Sequence, residues 1–149
     1  MNVAIREAEL SDLSRLVELY KLLDFYPEED QPFGKLQQQF MRHTEYPDYH
    51  VFVAERDNVI VGTFALIVIE SAAHGGKPFG IVEDVVVSNK WQGKGIGKKM
   101  MLFAMQHCQA RGCYKLALSS HLQRDEAHKF YESLGFAKHG FSFQIAWAA

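Results

Sequence analysis

The sequence is poor in the features that mark disulfide scaffolds, metal centres and membrane proteins. It has two cysteines among its 149 residues, Cys108 and Cys113, and no Cys-x-x-Cys pair. Its seven histidines show no ligand spacing, so we predict neither a disulfide framework nor a bound metal. The longest apolar run, Val59 to Ile69, is interrupted by Gly62 and Thr63 and is too short for a membrane helix.

Charge of one sign is also missing. The 16 basic and 18 acidic residues are mixed along the chain and leave a net charge of -2. Without a basic tract or patch, neither nucleic acid nor a membrane surface is an expected partner. The first ten residues are charged early and lack the apolar core of a signal peptide, which predicts a cytoplasmic location. The length fits one domain covering residues 1–149.

The apolar pattern predicts a mixed α/β protein. Alternating and β-branched stretches predict strands, apolar residues at helical spacing predict helices, and Asp57-Asn58 marks a tight turn. The expected strands are 2–7, 49–55, 59–69, 80–88 and 114–119, with a final hairpin at 136–139 and 141–146; the expected helices are 13–23, 35–43, 95–110 and 125–134. This order favours a central sheet with helices packed on it.

A glycine-rich turn follows the strand Val82 to Val87. Three glycines occupy alternate positions in the segment Gln92 to Gly97, and a long amphipathic helix comes next. Such a turn exposes backbone N–H groups at the positive end of a helix dipole, which is a binding site for phosphate oxygens. The spacing differs from the Walker loop and from the dinucleotide fingerprint. A purely structural turn is the alternative.

Two motifs together resemble the GNAT superfamily of N-acetyltransferases. Gln92-x-x-Gly95-x-Gly97 is similar to that family's pyrophosphate-binding loop, and Ala127 to Phe136 is similar to its closing Ala-x-x-Phe-Tyr-x-x-x-Gly-Phe segment. The resemblance runs from about Gly80 to Phe136. Arg124 stands where the family often has Asn, a form that is similar to aminoalkylphosphonate N-acetyltransferases. The resemblance implies a mostly antiparallel sheet with helices on both faces.

The resemblance further implies acetyl-CoA as the co-substrate. The glycine loop would hold the pyrophosphate, the fourth strand would pair with the pantetheine arm, and an N–H near Val86 would bind the thioester carbonyl. The residues expected to bind the cofactor are Val85, Val86, Val87, Gln92, Gly93, Lys94, Gly95, Ile96, Gly97 and Lys98.

Acetyl transfer to an amine also needs a proton acceptor and a proton donor. Glu83 is the expected base, with Asp84 as the alternative, because a primary ammonium is protonated at neutral pH. Strand alternation would place Glu83, Val85 and Val87 on one face and Asp84 on the other. Tyr131 is the expected acid for the leaving thiolate, because the ordinary pKa of tyrosine is close to that of an alkyl thiol.

The acceptor is expected to be a small-molecule amine. The first half of the chain would line its pocket, and we expect Tyr26, Arg42 and His121 to contact it; an anionic group on the substrate could meet Arg42 or Arg124. Acetylation of a protein lysine or N-terminus is the second hypothesis, and a non-catalytic acyl-CoA sensor is the third. Alternating aromatic residues near the C-terminus leave a homodimer open.

Overall fold

The computed structural model describes residues 2–23 and 31–147. The chain divides into two compact units, Met1–Ala117 and Leu118–Ala149. The first unit contains the sheet and three helices, and the second contains one helix. A single domain over the whole chain stays a prediction.

The first unit is built on a five-stranded sheet in the order β1-β2-β3-β4-β5. Its strands are β1 (Ala4–Glu7), β2 (Tyr49–Arg56), β3 (Val59–Glu70), β4 (Pro78–Val87) and β5 (Leu116–Ala117). All neighbours are antiparallel except β4 and β5, which run parallel. Asp57 and Asn58 join β2 to β3 with φ angles of 50° and 63°, which confirms the predicted tight turn.

Helices cover both faces of this sheet. They are α1 (Leu13–Tyr20), α2 (Phe33–Arg42) and α3 (Ile96–Ala110). Leu16 of α1 packs in a buried cluster with Val51 and Val53 of β2. The intervening Phe52 points the other way and meets Phe103 of α3, with ring centroids 4.9 Å apart. Because side chains alternate along β2, this strand contributes to a hydrophobic core on each face of the sheet. The predicted fold class is confirmed.

The second unit contains α4 (Asp125–Ser133). The predicted hairpin at 136–139 and 141–146 is wrong, because the described residues there form neither helix nor strand. Phe141 and Phe143 alternate as strand residues do, yet they are 81% and 90% exposed. Alternation makes a strand only where the backbone finds a ladder partner and one face is buried.

Two other elements are shorter than predicted. The strand expected at 114–119 is reduced to β5, and the first helix ends at Tyr20 rather than at residue 23. In the described parts of the chain, no helix combines the length and apolar character that crossing a bilayer requires.

Candidate active site

A β-bulge interrupts β4 at its two acidic residues. Ala65 pairs with Glu83 and Thr63 pairs with Val86, so Phe64 alone faces two residues of β4, Asp84 and Val85. Asp84 adopts φ +55°, a left-handed conformation that Asp tolerates better than most residues but that still costs free energy. The bulge reverses the alternation of β4 beyond Asp84.

This reversal corrects the predicted faces of β4. Without the bulge, Val82 and Val86 would point to the same face. A Cβ on Gly80 would meet Cys108, so Gly80 and Val82, two residues further along the strand, face α3. Val86 instead faces α1, in the buried cluster around Leu16. The sequence predicts a regular strand here because one inserted residue leaves no local signal.

Protein atoms around the two carboxylates raise their pKa values. Burial is the larger cause for Glu83, followed by the negative charge of Asp84, and burial alone raises the pKa of Asp84. Both residues keep exposed surface, so they remain reachable from solvent. A carboxylate whose pKa is raised toward neutrality is a better proton acceptor, as a general base requires.

Two tyrosines lie beside this carboxylate pair. Burial raises the pKa of Tyr20, and Asp84 raises it further. The pKa of Tyr49 is raised by burial and then by Asp84 and Glu83. Both phenols therefore stay protonated at neutral pH, and Tyr49 can donate a hydrogen bond to an anion.

Thr63 lies beside one of these tyrosines. Its hydroxyl is completely buried and donates to the carbonyl oxygen of Phe52 over 2.8 Å. The same hydroxyl lies close enough to the phenol of Tyr20 to lower its pKa slightly, against the larger effect of burial. Sequence reasoning missed Tyr49 and Thr63, since their proximity to the acidic residues of β4 comes from sheet register.

The glycine loop has the backbone that the sequence predicts. Gly93 and Gly95 have φ angles of 74° and 84°, and a Cβ at either position would meet no atom within 4 Å. Gly95 is the N-cap of α3 and supplies no side-chain cap. The first N–H groups of this helix therefore face outward without intrahelical partners, and the loop fits a phosphate group.

Side chains fix the loop against β4. Gln92 Nε2 donates to the carbonyl oxygen of Val87 over 3.1 Å and to Asn89 Oδ1 over 3.2 Å. Trp91 lies between two cations, with Arg56 Cζ 4.5 Å and Lys94 Nζ 5.0 Å from its ring. These contacts give the loop a defined shape and a positive rim.

In the first unit, β4 has an open edge beside the bulge. Its pairing with β5 covers only Gly80 and Ile81, so among the described residues of this unit the strand continues to Val87 with pairing on the β3 side alone. Such an edge offers backbone groups to an extended ligand, as the expected binding of pantetheine requires.

In the second unit, Tyr131 lies on α4. Its ring meets those of Phe130 and Phe136, with centroids 5.2 and 5.8 Å away. Burial raises its pKa, while the charge of Arg124 acts in the opposite direction. The phenol therefore carries its proton at neutral pH, as a general acid must.

The expected substrate-binding residues are placed differently. Tyr26 lies outside the described residues. Arg42 is the last residue of α2 and is exposed. His121 is exposed in the second unit, where its Nδ1 accepts from the amide of Gln123 over 3.1 Å. Their contact with a substrate stays a prediction.

Comparison with known proteins agrees with this geometry. The model of the acetyltransferase (GNAT) family matches residues 13–136. The chain is 31% identical over 138 residues to glucosamine 6-phosphate N-acetyltransferase of Arabidopsis thaliana, covering 89% of both chains. It is 35% identical over 89 residues to the enzyme of that name from Trypanosoma brucei brucei, where the match covers 60% of this chain and 58% of the relative.

Two further comparisons bear on fold and substrate class. The crystal structure of the Arabidopsis enzyme aligns with a TM-score of 0.86 and 26% identity over 99% of this chain and 100% of that one. Aminoalkylphosphonate N-acetyltransferase of Salmonella typhimurium is 27% identical over 67% of this chain and 64% of its own length, which confirms the expected similarity. With its fold, its loop and most of its length matched, the chain belongs to the acetyltransferase (GNAT) family.

Proposed function

We propose that the protein transfers the acetyl group of acetyl-CoA directly to the primary amine of a small molecule. The carboxylate pair at the bulge of β4 carries this proposal. Burial and the charge of Asp84 raise the pKa of Glu83, burial raises that of Asp84, and both charges act on nearby tyrosines. The same strand runs into a loop that fits phosphate. One strand thus joins a proton acceptor to a cofactor-binding turn.

The open edge and the glycine loop would hold the cofactor. The amide of Ser88 donates to the carbonyl oxygen of Val61 over 2.8 Å. Amides of an antiparallel strand point alternately to either side, so the amide of Val86 also points to β3, toward Thr63. The amide of Val87 therefore points to the open edge. We therefore assign an edge donor to Val87 rather than to Val86. The outward N–H groups at the start of α3 would receive the pyrophosphate.

Two groups would move the protons. Glu83 would accept the proton of the substrate ammonium, directly or through a water molecule, and the free amine would then attack the thioester carbonyl. Tyr131 would hold a proton at its Oη for the departing thiolate. Acetyl-CoA supplies the activated acyl group, so no acyl-enzyme is needed, and the thiols of Cys108 and Cys113 take no part.

The acceptor we propose is an amine that also carries a phosphate or phosphonate group. The names of the relatives point to this class, since glucosamine 6-phosphate and aminoalkylphosphonates both combine an amine with a phosphorus oxyanion. Arg42, exposed at the end of α2, is the residue we propose for that anion. A homodimer and a cytoplasmic location stay predictions from the sequence.

The test is a thiol-release assay with acetyl-CoA and a panel of aminoalkylphosphonates, amino-sugar phosphates, polyamines and amino acids. Phosphorylated or phosphonylated amines should saturate at the lowest concentration. Glu83→Gln and Tyr131→Phe should each lower kcat by roughly 100-fold or more. Glu70→Gln, at the exposed end of β3, and Tyr114→Phe are the matched controls and should retain full activity.

Each alternative has its own outcome. Tight binding of CoA without turnover of any amine would identify a sensor. Turnover of peptides but not of small amines would identify a protein acetyltransferase. Loss of activity in Asp84→Asn with full activity in Glu83→Gln would move the base to Asp84.

A further inference from the structure

A second cluster of ionisable side chains lies in the first unit and uses none of the residues proposed for acetyl transfer. Asp48 precedes β2, His50 is near the start of that strand, and His107 is on the last turn of α3. One potential ligand atom of each lies within 4.8 Å of the other two. We call these three residues the Asp48 cluster.

The spacing of these atoms fits one metal ion. His50 Nε2 lies 2.8 Å and His107 Nε2 lies 3.5 Å from Asp48 Oδ1. Two ligands of a tetrahedral zinc ion, each about 2.0–2.1 Å from the metal, stand about 3.3 Å apart. The two distances to Asp48 Oδ1 lie on either side of this value, and all three donor atoms lie within 4.8 Å of one another.

The surroundings of His50 also suit a metal ligand. Its Nε2 faces Asp48 Oδ1 at 2.8 Å, and its Nδ1 lies 2.7 Å from Glu7 Oε1. With Nε2 on a metal ion, Nδ1 would donate to the Glu7 carboxylate. Metal-bound histidines commonly donate their other ring nitrogen to a carboxylate in this way.

His107 supplies an independent observation. Its Nε2 is buried and has no hydrogen-bond partner, because 3.5 Å from Asp48 Oδ1 is too long for a good hydrogen bond. A buried ring nitrogen without a partner costs free energy. A metal ion bound between the three side chains would give that nitrogen a ligand bond.

Asp48 presents one oxygen to the two histidines. Its side chain is 6% exposed, and its Oδ2 forms an ion pair with Arg111 Nη2 over 2.7 Å, although no hydrogen bond satisfies that oxygen. Arg111 partly balances the buried charge, while Oδ1 faces His50 and His107. Two imidazoles and one carboxylate oxygen form a ligand set that suits zinc and cobalt better than magnesium or calcium.

We propose that Asp48, His50 and His107 bind one divalent first-row transition ion, such as Zn²⁺, through Asp48 Oδ1 and the two Nε2 atoms. Water would complete the coordination. The ion joins the start of β2 to the end of α3, so its effect is on stability rather than on the acetyl-transfer step. The sequence-based expectation of no metal considered spacing along the chain alone, which does not reveal a cluster assembled from β2 and α3.

The test is a calorimetric titration of the untagged, chelator-treated full chain with ZnCl₂, supported by the visible absorption of Co²⁺ bound in its place. The wild-type protein should bind one ion per chain. His107→Phe should bind roughly 100-fold more weakly, because it keeps the ring contact with Phe52 but has no ligand atom. His74→Ala, which changes an exposed histidine of the same unit, is the control and should bind as the wild type does.

A second readout separates the metal from a simple ion-pair network. Zinc at 100 times its Kd should raise the folding equilibrium constant about 100-fold, and the melting temperature should rise in the wild type but not in His107→Phe. If circular dichroism shows that His107→Phe is unfolded, His50→Asn takes its place. Absence of zinc binding in the wild type, or equal affinity in His107→Phe and His74→Ala, would overturn the proposal. Either result leaves the proposed acetyl transfer unaffected.

Discussion

Gly80 of β4 lies in close contact with Cys108 of α3. A Cβ on Gly80 would stand 2.5 Å from Cys108 Sγ and 3.1 Å from Leu116 Cδ1. Ordinary carbon contacts optimise at about 3.5–4.0 Å, so Gly80→Ala needs roughly 1 Å more space. Cys108 is 3% exposed, and its short side chain has little freedom to move away.

Gly80→Ala should therefore destabilise the protein by about 2–3 kcal/mol, the range expected for overpacking of a well-filled core. This corresponds to a fall of roughly 4–12 °C in melting temperature for a domain of this size. Cys108→Ala alone removes the sulfur that would clash and should cost about 1 kcal/mol through lost burial. Because the closer clash partner is then gone and only Leu116 Cδ1 stays near, Gly80→Ala should cost much less in the Cys108→Ala background than in the wild type.

Urea unfolding of the wild type, both single variants and the double variant gives the coupling directly. We expect an interaction free energy of about 2 kcal/mol in favour of the double variant. A cost below about 0.5 kcal/mol for Gly80→Ala, or the same cost in both backgrounds, would refute the reasoning. Gly34→Ala, where a new Cβ meets no atom within 4 Å, is the control and should not destabilise the protein.

Three other predictions follow from the charges and the backbone. In Asp84→Asn the pKa of Glu83 should fall, because a negative neighbour is lost, and the acid limb of kcat/KM should move to lower pH. The folded-state pKa of Asp84 is raised, so the protein loses stability as pH rises through that pKa and Asp84 ionises. Asp84→Asn carries no such charge and should therefore melt at a higher temperature than the wild type at pH 7. Gly95→Ala, at φ +84°, should lose about 1–2 kcal/mol of stability from backbone strain alone and raise the KM for acetyl-CoA. The pKa of Asp12 is lowered chiefly by Arg6. Ionised Asp12 therefore stabilises the protein above the ordinary carboxyl pKa, and this stabilisation is lost as pH falls through the lowered pKa. The urea midpoint of Asp12→Asn should depend less on acid pH than that of the wild type.

Much of the fold could be predicted because it depends on residues close together in the chain. The helix after Gly95, the turn at Asp57 and the order of strands in the first unit all follow from periodicity and turn residues. The glycine loop was recognisable for the same reason. Its proposed function depends on backbone conformation, and glycine spacing reports that conformation directly.

The strand pattern at the C-terminus shows where such reasoning fails. Phe141 and Phe143 have the alternation of a strand, but they are exposed and outside any strand. Alternation describes what a segment can do when a neighbour is present, and only tertiary structure decides whether a neighbour is present.

The sequence by itself determined the family, the order of elements in the first unit, the acidic residues of β4 and the glycine loop that follows this strand. Tertiary structure decided that Asp84 forms a bulge, that Tyr20 and Tyr49 lie near enough for its charge to raise their pKa values, and that His50 and His107 meet around Asp48. The reason is physical. Periodicity and turn propensity act over a few residues, whereas these contacts depend on strand register and helix packing between residues far apart in the chain.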